Sequence, residues 1–270
     1  MKGEIAVVCS RADPASLNIF ESLLKMREWE TEKGYLSSGL WHLVVHDGKQ
    51  STISGADDRL ASLGLSPELI VFASRHEAKS ALPWMGGHFT GIFQDGQCSL
   101  SAAAPQALRS FLNNLHDHAL PEFAISAEAT HHGPVDVGTP CFFAEIGSTE
   151  REWRDPEAGR AVAWSILALE DTHAPVFLGL GGGHYVARQT DLIFQSSAAF
   201  GHLFSNYQTE NLNLDVLEEA RLRSGATYAY LDRKSLRSQE RKRLEGLLVE
   251  MDLPVMRSRE IRDRFPPAGI

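Results

Sequence analysis

The sequence predicts an α/β protein, a largely parallel or mixed sheet covered on both faces by helices. Three observations predict it. Apolar runs of strand length recur along the 270 residues with helical segments between them, the pattern of strand–helix–strand units. Two helix starts carry aspartate followed by proline, Asp13-Pro14 and Asp155-Pro156, a side-chain cap joined to a residue whose φ already suits a first turn. The conspicuous histidines and glycines stand at the ends of apolar runs, where ligands bind in such folds.

Residues 4–9, apolar without a break from Ile5, give a buried first strand. Asp13-Pro14 opens a helix to about Arg27. Residues 41–46 and 69–73 are short apolar strands, and 105–115 is helical behind Pro105. Residues 123–129 and 141–146 are again strands. Asp155-Pro156 opens a helix to about Leu169, with Ala161, Trp164 and Ala168 on its apolar face. Residues 176–180 form a strand that ends in a glycine triplet, and 198–204 another. A helix over 216–223 stops near Gly225, the residue suited to a left-handed cap. A strand at 228–231 precedes a helix over 236–249 with Leu244, Leu247 and Leu248 inward. Residues 50–64 and 79–97 lack clear periodicity and are expected to be irregular insertions. Without repeat or linker, residues 1–270 are expected to form a single domain.

A hydrophobic content of 43% supports a substantial core, and no run approaches the roughly 18–20 apolar residues of a membrane span. The chain enters its first strand at once, without signal-peptide architecture, and Cys9, Cys98 and Cys141 are too few and too scattered for a disulfide framework or a Cys-x-x-Cys site. A reduced, cytoplasmic protein, monomeric and without a membrane partner, is expected. The net charge of −9 argues against a protein that coats DNA or RNA indiscriminately. Charge is unevenly placed, however. Residues 221–264 hold twelve Lys/Arg against seven Asp/Glu, densest from Arg233 to Arg243. That stretch is either a solvated helix face or a local phosphate-binding surface.

Three segments carry the chemistry. Glu128-Ala-Thr130-His131-His132-Gly133-Pro134 ends one apolar run, and Gly181-Gly182-Gly183-His184-Tyr185 ends another. Between them Glu145 sits in a strand pattern, where a buried carboxylate needs a cation, a histidine or a metal beside it. Adjacent His131 and His132 would face opposite ways in extended chain, so both reach one site only if a turn begins there, as Gly133-Pro134 suggests. A histidine of this kind, taken singly, also fits a hydrogen-bonded structural group. The glycine triplet is not a dinucleotide fingerprint, because His184 stands where glycine is required. Neither a phosphate-loop Gly-Lys-Ser/Thr, a Gly-x-Ser-x-Gly elbow nor a His-Glu-x-x-His motif occurs. Scattered imidazoles and carboxylates on strand ends point to metal-assisted hydrolysis, with zinc the ion that suits such donors. On the residues alone, a metal-dependent hydrolase or phosphorylase of a small ester or nucleoside remains open, as does a non-catalytic RNA-binding module.

Taken in order, Ser74-Arg75-His76, the 128–134 segment, Glu145-Ile-Gly-Ser-Thr149 with Trp153, Gly181–Tyr185, Gly201-His202 and Asp232-x-Lys234 with Glu240-Arg241 resemble the archaeal and plant D-aminoacyl-tRNA deacylases. The resemblance covers most of the chain. It implies a zinc-dependent esterase that frees tRNA and a D-amino acid, on a three-layer α/β/α fold similar to phosphorylases and peptidyl-tRNA hydrolases. His76, His131, His132 and His184 are then the expected metal ligands, and Glu128, His132, Glu145 and His184 the expected catalytic groups. Thr130, Gly181, Gly182, Gly183 and Tyr185 are expected at the substrate, with the glycine N–H groups facing the developing oxyanion. Lys234, Arg237, Arg241 and Lys242 are expected to receive acceptor-stem phosphates of the D-aminoacyl-tRNA. The sequence departs from the family at 82–89, where a Val-His-Pro segment is usual and His88 is the only histidine.

Overall fold

The computed structural model describes residues 3–94, 97–118 and 120–267. Strands β1 (Ile5–Ser10), β2 (Glu30–Thr31), β3 (Leu36–Ser38), β4 (Trp41–His46), β5 (Leu69–Arg75), β6 (Trp84–His88), β7 (Gly91–Gln94) and β8 (Gln97–Leu100) come from the first part of the chain. They are followed by β9 (Ala124–Ala127), β10 (Cys141–Gly147), β11 (Val176–Leu180), β12 (Ala199–Phe204), β13 (Tyr228–Leu231) and β14 (Val255–Met256). The helices are α1 (Pro14–Met26), α2 (Ala56–Ser62), α3 (Pro105–Asp117), α4 (Glu150–Trp153), α5 (Pro156–Leu167), α6 (Ala187–Gln195), α7 (Leu214–Ser224), α8 (Ser238–Glu250) and α9 (Ser258–Arg264). Among the described residues no helix is long and apolar enough to cross a membrane.

Eight strands form a mixed sheet in the order β2-β3-β4-β1-β5-β10-β6-β9. Its centre, β4-β1-β5-β10, is parallel, whereas β6 runs antiparallel to β10. Alternation along the strands gives the sheet two apolar faces. Ile5, Val7, Cys9, Val71, Ala73, Phe142, Ala144 and Ile146 pack with Ala15 and Ile19 of α1, Leu108 and Phe111 of α3, and Val162 and Ile166 of α5. Ala6, Val8, Ile70, Phe72, Cys141 and Phe143 face the other way, onto Ala56 and Leu60 of α2. Helices therefore cover both faces.

The structure corrects three expectations. The stretches 50–64 and 79–97 are not irregular throughout: the first holds α2 and the second β6 and β7. The pattern hid β6 because Gly86 and Gly87 interrupt its apolar run, although all five of its residues are buried. On α5 the buried face is Ala158, Val162, Ala163 and Ile166, while Trp164 is 38% exposed and its ring packs 3.7 Å from that of His118. Finally, β11–β14 do not extend the main sheet but make a separate parallel one, ordered β12-β11-β13-β14. Leu178, Leu180 and Leu231 of that sheet pack with Leu217 of α7 and Leu244 and Leu248 of α8 as a second core.

The segment after β9 joins the two sheets. Glu128 N–H donates to Gly87 O at 3.0 Å, Ala129 N–H to His184 O at 2.8 Å, Thr130 N–H to Leu203 O at 2.7 Å and His131 N–H to Phe89 O at 3.3 Å. The outer two of these bonds go to the large-sheet segment 87–89 and the inner two to the small-sheet segments, which draws the His131-His132 corner and the glycine turn together.

Candidate active site

Strand register places the first residues. Cross-strand partners share a face of the sheet, and Phe143 is paired with His88 while Glu145 is paired with Ser74 of β5. His88, Glu145 and Ser74 therefore stand on the α2 side. Asp13 extends the local order: one carboxylate oxygen caps α1 at Ala15 N and Ser16 N, and the other accepts from Arg75 N at 3.0 Å and Ser74 Oγ at 3.4 Å. His76 follows directly. Its carbonyl accepts the Trp153 indole N–H at 2.8 Å, and a Cβ at position 147 would come within 2.7 Å of its ring, so Gly147 makes room for it.

The imidazoles converge. Ring centroids lie 4.0 Å apart for His88 and His131, 4.7 Å for His88 and His132, 4.5 Å for His131 and His132, and 4.8 Å for His131 and His184. His132 adopts a positive φ of 36°, and with that turn both neighbours face His88, where extended chain would have separated them. His88 Nδ1–H donates to Phe89 O at 3.0 Å, His131 Nδ1–H to Ala129 O at 2.7 Å and His132 Nδ1–H to Gly133 O at 2.6 Å. A carbonyl can only accept, so each ring is the tautomer with a free Nε2 lone pair, the state a metal ligand needs. Burial pushes His88 and His132 down to about 4 and His131 to about 2. All three are neutral at pH 7.

The carboxylates form a second layer. Glu128 is fully buried, with His184 Nε2 at 2.9 Å and His76 Nδ1 at 3.3 Å from one oxygen. Burial raises its pKa, but the contacts with His184 and His76 outweigh that and hold the carboxyl below the usual range. The same contacts raise His184 and His76 against the opposing effect of burial. Glu145 is pushed up to about 8, first by burial and then by the charge on Glu128. Its oxygens lie 3.6 Å from His88 Nε2 and 3.8 Å from His76 Nδ1. Tyr185 closes one side, with its hydroxyl 3.1 Å from His76 Nε2.

These donors suit a cation. His88, His131 and His132 offer ligand atoms within 4.8 Å of one another, as do Glu128, His131 and His184, and also His76, Glu128 and Glu145. Among the described residues His88 Nε2 and both Glu128 oxygens are buried without a hydrogen bond; the Glu128–His184 approach is close but off-line. Buried polar atoms are rarely left so, and a bound ion would satisfy them. Beside the cluster a cavity of about 390 Å³ is lined by Asp13, Lys49, Gln50, Arg75, Glu77 and Glu145 as well as by the histidines.

Three expected substrate contacts take other roles. Thr130 is fully buried, its hydroxyl accepting from Leu203 N and lying 3.1 Å from His202 Nδ1, so it has no surface to offer a ligand. Gly181 and Gly182 have φ of +88° and +96°, conformations for which glycine is favoured, but their N–H groups are already committed, to Phe204 O at 2.8 Å and Ser235 Oγ at 2.7 Å. They shape the turn and do not form an oxyanion hole. Gly183 is exposed, and its N–H has no protein partner among the described residues.

The basic stretch starts beside that turn, because β13 runs parallel to β11 and Ser235 bonds Gly182. Lys234, Arg237 and Lys242 are exposed, whereas Arg241 is only half-buried with its Nε enclosed. Arg233 and Arg243 are tied to Glu245 and Glu240 at 2.9 and 2.7 Å.

Sequence reasoning left the role of His88 open and missed Asp13 and Gln208, whose amide donates to Thr130 O at 2.6 Å. His88 carried the signal of the others, a histidine closing the apolar run from Trp84. Asp13 looked like a helix cap and nothing more.

Fold and site together define an α/β protein with a buried, carboxylate-backed triad of neutral imidazoles. A family model described as D-aminoacyl-tRNA deacylase matches residues 63–256. A D-aminoacyl-tRNA deacylase of Methanothrix thermoacetophila is 49% identical over 96% of this chain and 98% of its own length. One of Methanosarcina barkeri is 37% identical over 97% of this chain and 92% of its own length. The crystal structure of a conserved protein of unknown function superposes with a TM-score of 0.91 at 30% identity, covering 99% of this chain and 100% of that one. The chain belongs to the D-aminoacyl-tRNA deacylase family.

Proposed function

We propose that this protein hydrolyses the ester bond of D-aminoacyl-tRNA, releasing free tRNA and a D-amino acid, and that it does so with a divalent ion, zinc, at His88, His131 and His132. The observation that carries the proposal is the set of three neutral imidazoles whose Nδ1–H groups are spent on carbonyls and whose rings meet within 4.0 to 4.7 Å. An all-imidazole set of this kind suits zinc. Bound there, the ion supplies Lewis-acid polarisation of the ester carbonyl and lowers the pKa of a water.

The chain's own groups do the rest. Water adds to the acyl carbon, the bond to the ribose oxygen breaks, and that oxygen takes a proton. Glu145, raised to about 8, is tuned near the pH at which it can accept a proton from water. His184, whose side chain is 44% exposed and whose pKa is raised by its contact with Glu128, is placed to give one to the leaving oxygen. Gly183 N–H, without a protein partner among the described residues, is the one N–H of the glycine turn left to bind the carbonyl oxygen as it gains charge. Discrimination against L substrates then follows from exclusion, since backbone standing where an L side chain projects needs no contact to side chains. That account also gives broad tolerance among D-amino acids and a proofreading role in the cytoplasm. Lys234, Arg237 and Lys242 hold acceptor-stem phosphates, with Arg241 a lesser contributor.

The direct test is deacylation of D-tyrosyl-tRNA against L-tyrosyl-tRNA. The proposal requires the D form to be cleaved and the L form spared. Equal rates on both, or cleavage of neither, would remove it.

A further inference from the structure

A second cavity of about 360 Å³ shares no lining residue with the polar one and adjoins His76 through Trp84 and Tyr185. Leu82, Pro83, Trp84, Ile125, Tyr185 and Phe194 give it apolar and aromatic walls. Two of these residues also touch the reacting centre: Tyr185 OH is 3.1 Å from His76 Nε2, and the Trp84 ring centroid is 4.4 Å from that of His76. Among the residues lining it, Asp191 is the only charged one, an exposed carboxylate at the rim.

We propose that this cavity receives the base of the terminal adenosine of tRNA, stacked against Tyr185. This rests on the deacylase reading and names how that substrate is held. Three considerations select the base over the aminoacyl side chain. The terminal adenosine is the same in every tRNA while the amino acid varies, and a fixed cavity suits the invariant part. The aminoacyl group carries a cationic α-ammonium, which suits the other cavity, whose polar lining includes the carboxylates of Asp13 and Glu77 beside Lys49 and Arg75, better than it suits apolar walls. A largely apolar slot with an aromatic wall and a single carboxylate among its lining residues matches a base, which stacks through its faces and pairs through an amino group at its edge. The ester then sits at the base's own ribose, beside His76, as Tyr185 and Trp84 require.

Ala187 lines the same cavity, is exposed, and stands at the first turn of α6. Ala187→Trp fills the space without cutting into the core. Leu82→Glu, at a side chain 66% exposed, places a second carboxylate there without loss of packing. Titration of wild-type protein with adenosine, followed by calorimetry, is expected to show binding that each variant weakens by about tenfold or more, with uridine binding less well. His132→Ala should leave adenosine affinity unchanged. On D-aminoacyl esters, both variants should lose kcat/KM on D-tyrosyl-adenosine but not on D-tyrosine ethyl ester, which has no base. Adenosine that fails to bind at millimolar concentration, or binds both variants as well as wild type, overturns the proposal. So does a loss on the ethyl ester that follows amino-acid side-chain size. Adenosine binding that the variants weaken, in a protein that spares D-aminoacyl-tRNA, would uphold the base site while removing the deacylase reading.

Discussion

Glu128 stands with one carboxylate oxygen 2.9 Å from His184 Nε2 and is itself wholly buried. Residues 56 positions apart in the chain are thereby held side by side next to the imidazole triad. The relationship depends on the Ala129 N–H to His184 O bond of 2.8 Å, which clips the two segments together one residue away.

Glu128→Gln keeps the shape of that side chain and removes its charge. His184 and His76 then lose the group that raises them, and the negative charge within 4.8 Å of a His131 ring nitrogen is lost. Metal affinity is expected to fall by about 10–100-fold, with a matching loss of kcat/KM on D-aminoacyl-tRNA. Metal content by mass spectrometry and deacylation kinetics on the same preparation check both.

Substitution of one imidazole should separate chemistry from folding. His132→Ala removes a ring at a half-buried position outside every helix and strand. Activity should drop by at least about 100-fold, while the far-UV spectrum and melting temperature stay near wild type. His88→Ala should do the same to activity but lower the melting temperature as well, because His88 is fully buried and stacks 5.0 Å from Phe143.

The pH dependence of stability can be isolated at His202, which lies outside the ligand set. Its ring is fully buried, with Nε2–H donating to Ser101 O at 3.0 Å, and burial holds its pKa down to about 4 from 6.5. The unfolded chain therefore binds a proton between about pH 6.5 and 4 that the folded one refuses, and unfolding is favoured as pH falls through that window. His202→Gln, whose amide can still donate to Ser101 O, should lose less stability than wild type on going from pH 7 to pH 4.5. Parallel urea midpoints for the two proteins across that range would show the sign to be wrong.

Much of this was legible in the sequence. Strands at 41–46, 176–180 and 228–231 and the two Asp-Pro helix starts were readable because burial on both faces gives unbroken apolar runs and because a cap has local chemistry. So was the meeting of His131, His132, Glu145 and His184. Other parts were not. β6 carries two glycines whose role is close approach to its neighbours, which no periodicity records. Trp164 stood among apolar residues of α5 yet faces outward, since side-chain type alone does not choose which stripe is covered. The commitment of Gly181, Gly182 and Thr130 to other backbone and side-chain groups depends on partners 23, 53 and 73 residues away.

Charge reversal on the basic surface should act on binding and not on chemistry. Lys234→Glu with Arg237→Glu changes two exposed side chains without known ion pairs among the described residues. KM for D-aminoacyl-tRNA should rise, and the slope of log affinity against log salt should flatten by about 1 per lost phosphate contact, with kcat little changed. The same double change at Arg233 and Arg243, already paired to Glu245 and Glu240, should affect stability more than tRNA affinity.

The most direct measurement follows D-tyrosyl-tRNA hydrolysis by protein stripped with a chelator, before and after stoichiometric zinc is returned, with His131→Ala carried alongside. The account predicts activity lost on stripping, restored in the wild type by about one ion per chain or a small multiple, and not restored in the variant. Full turnover by the stripped protein would contradict it.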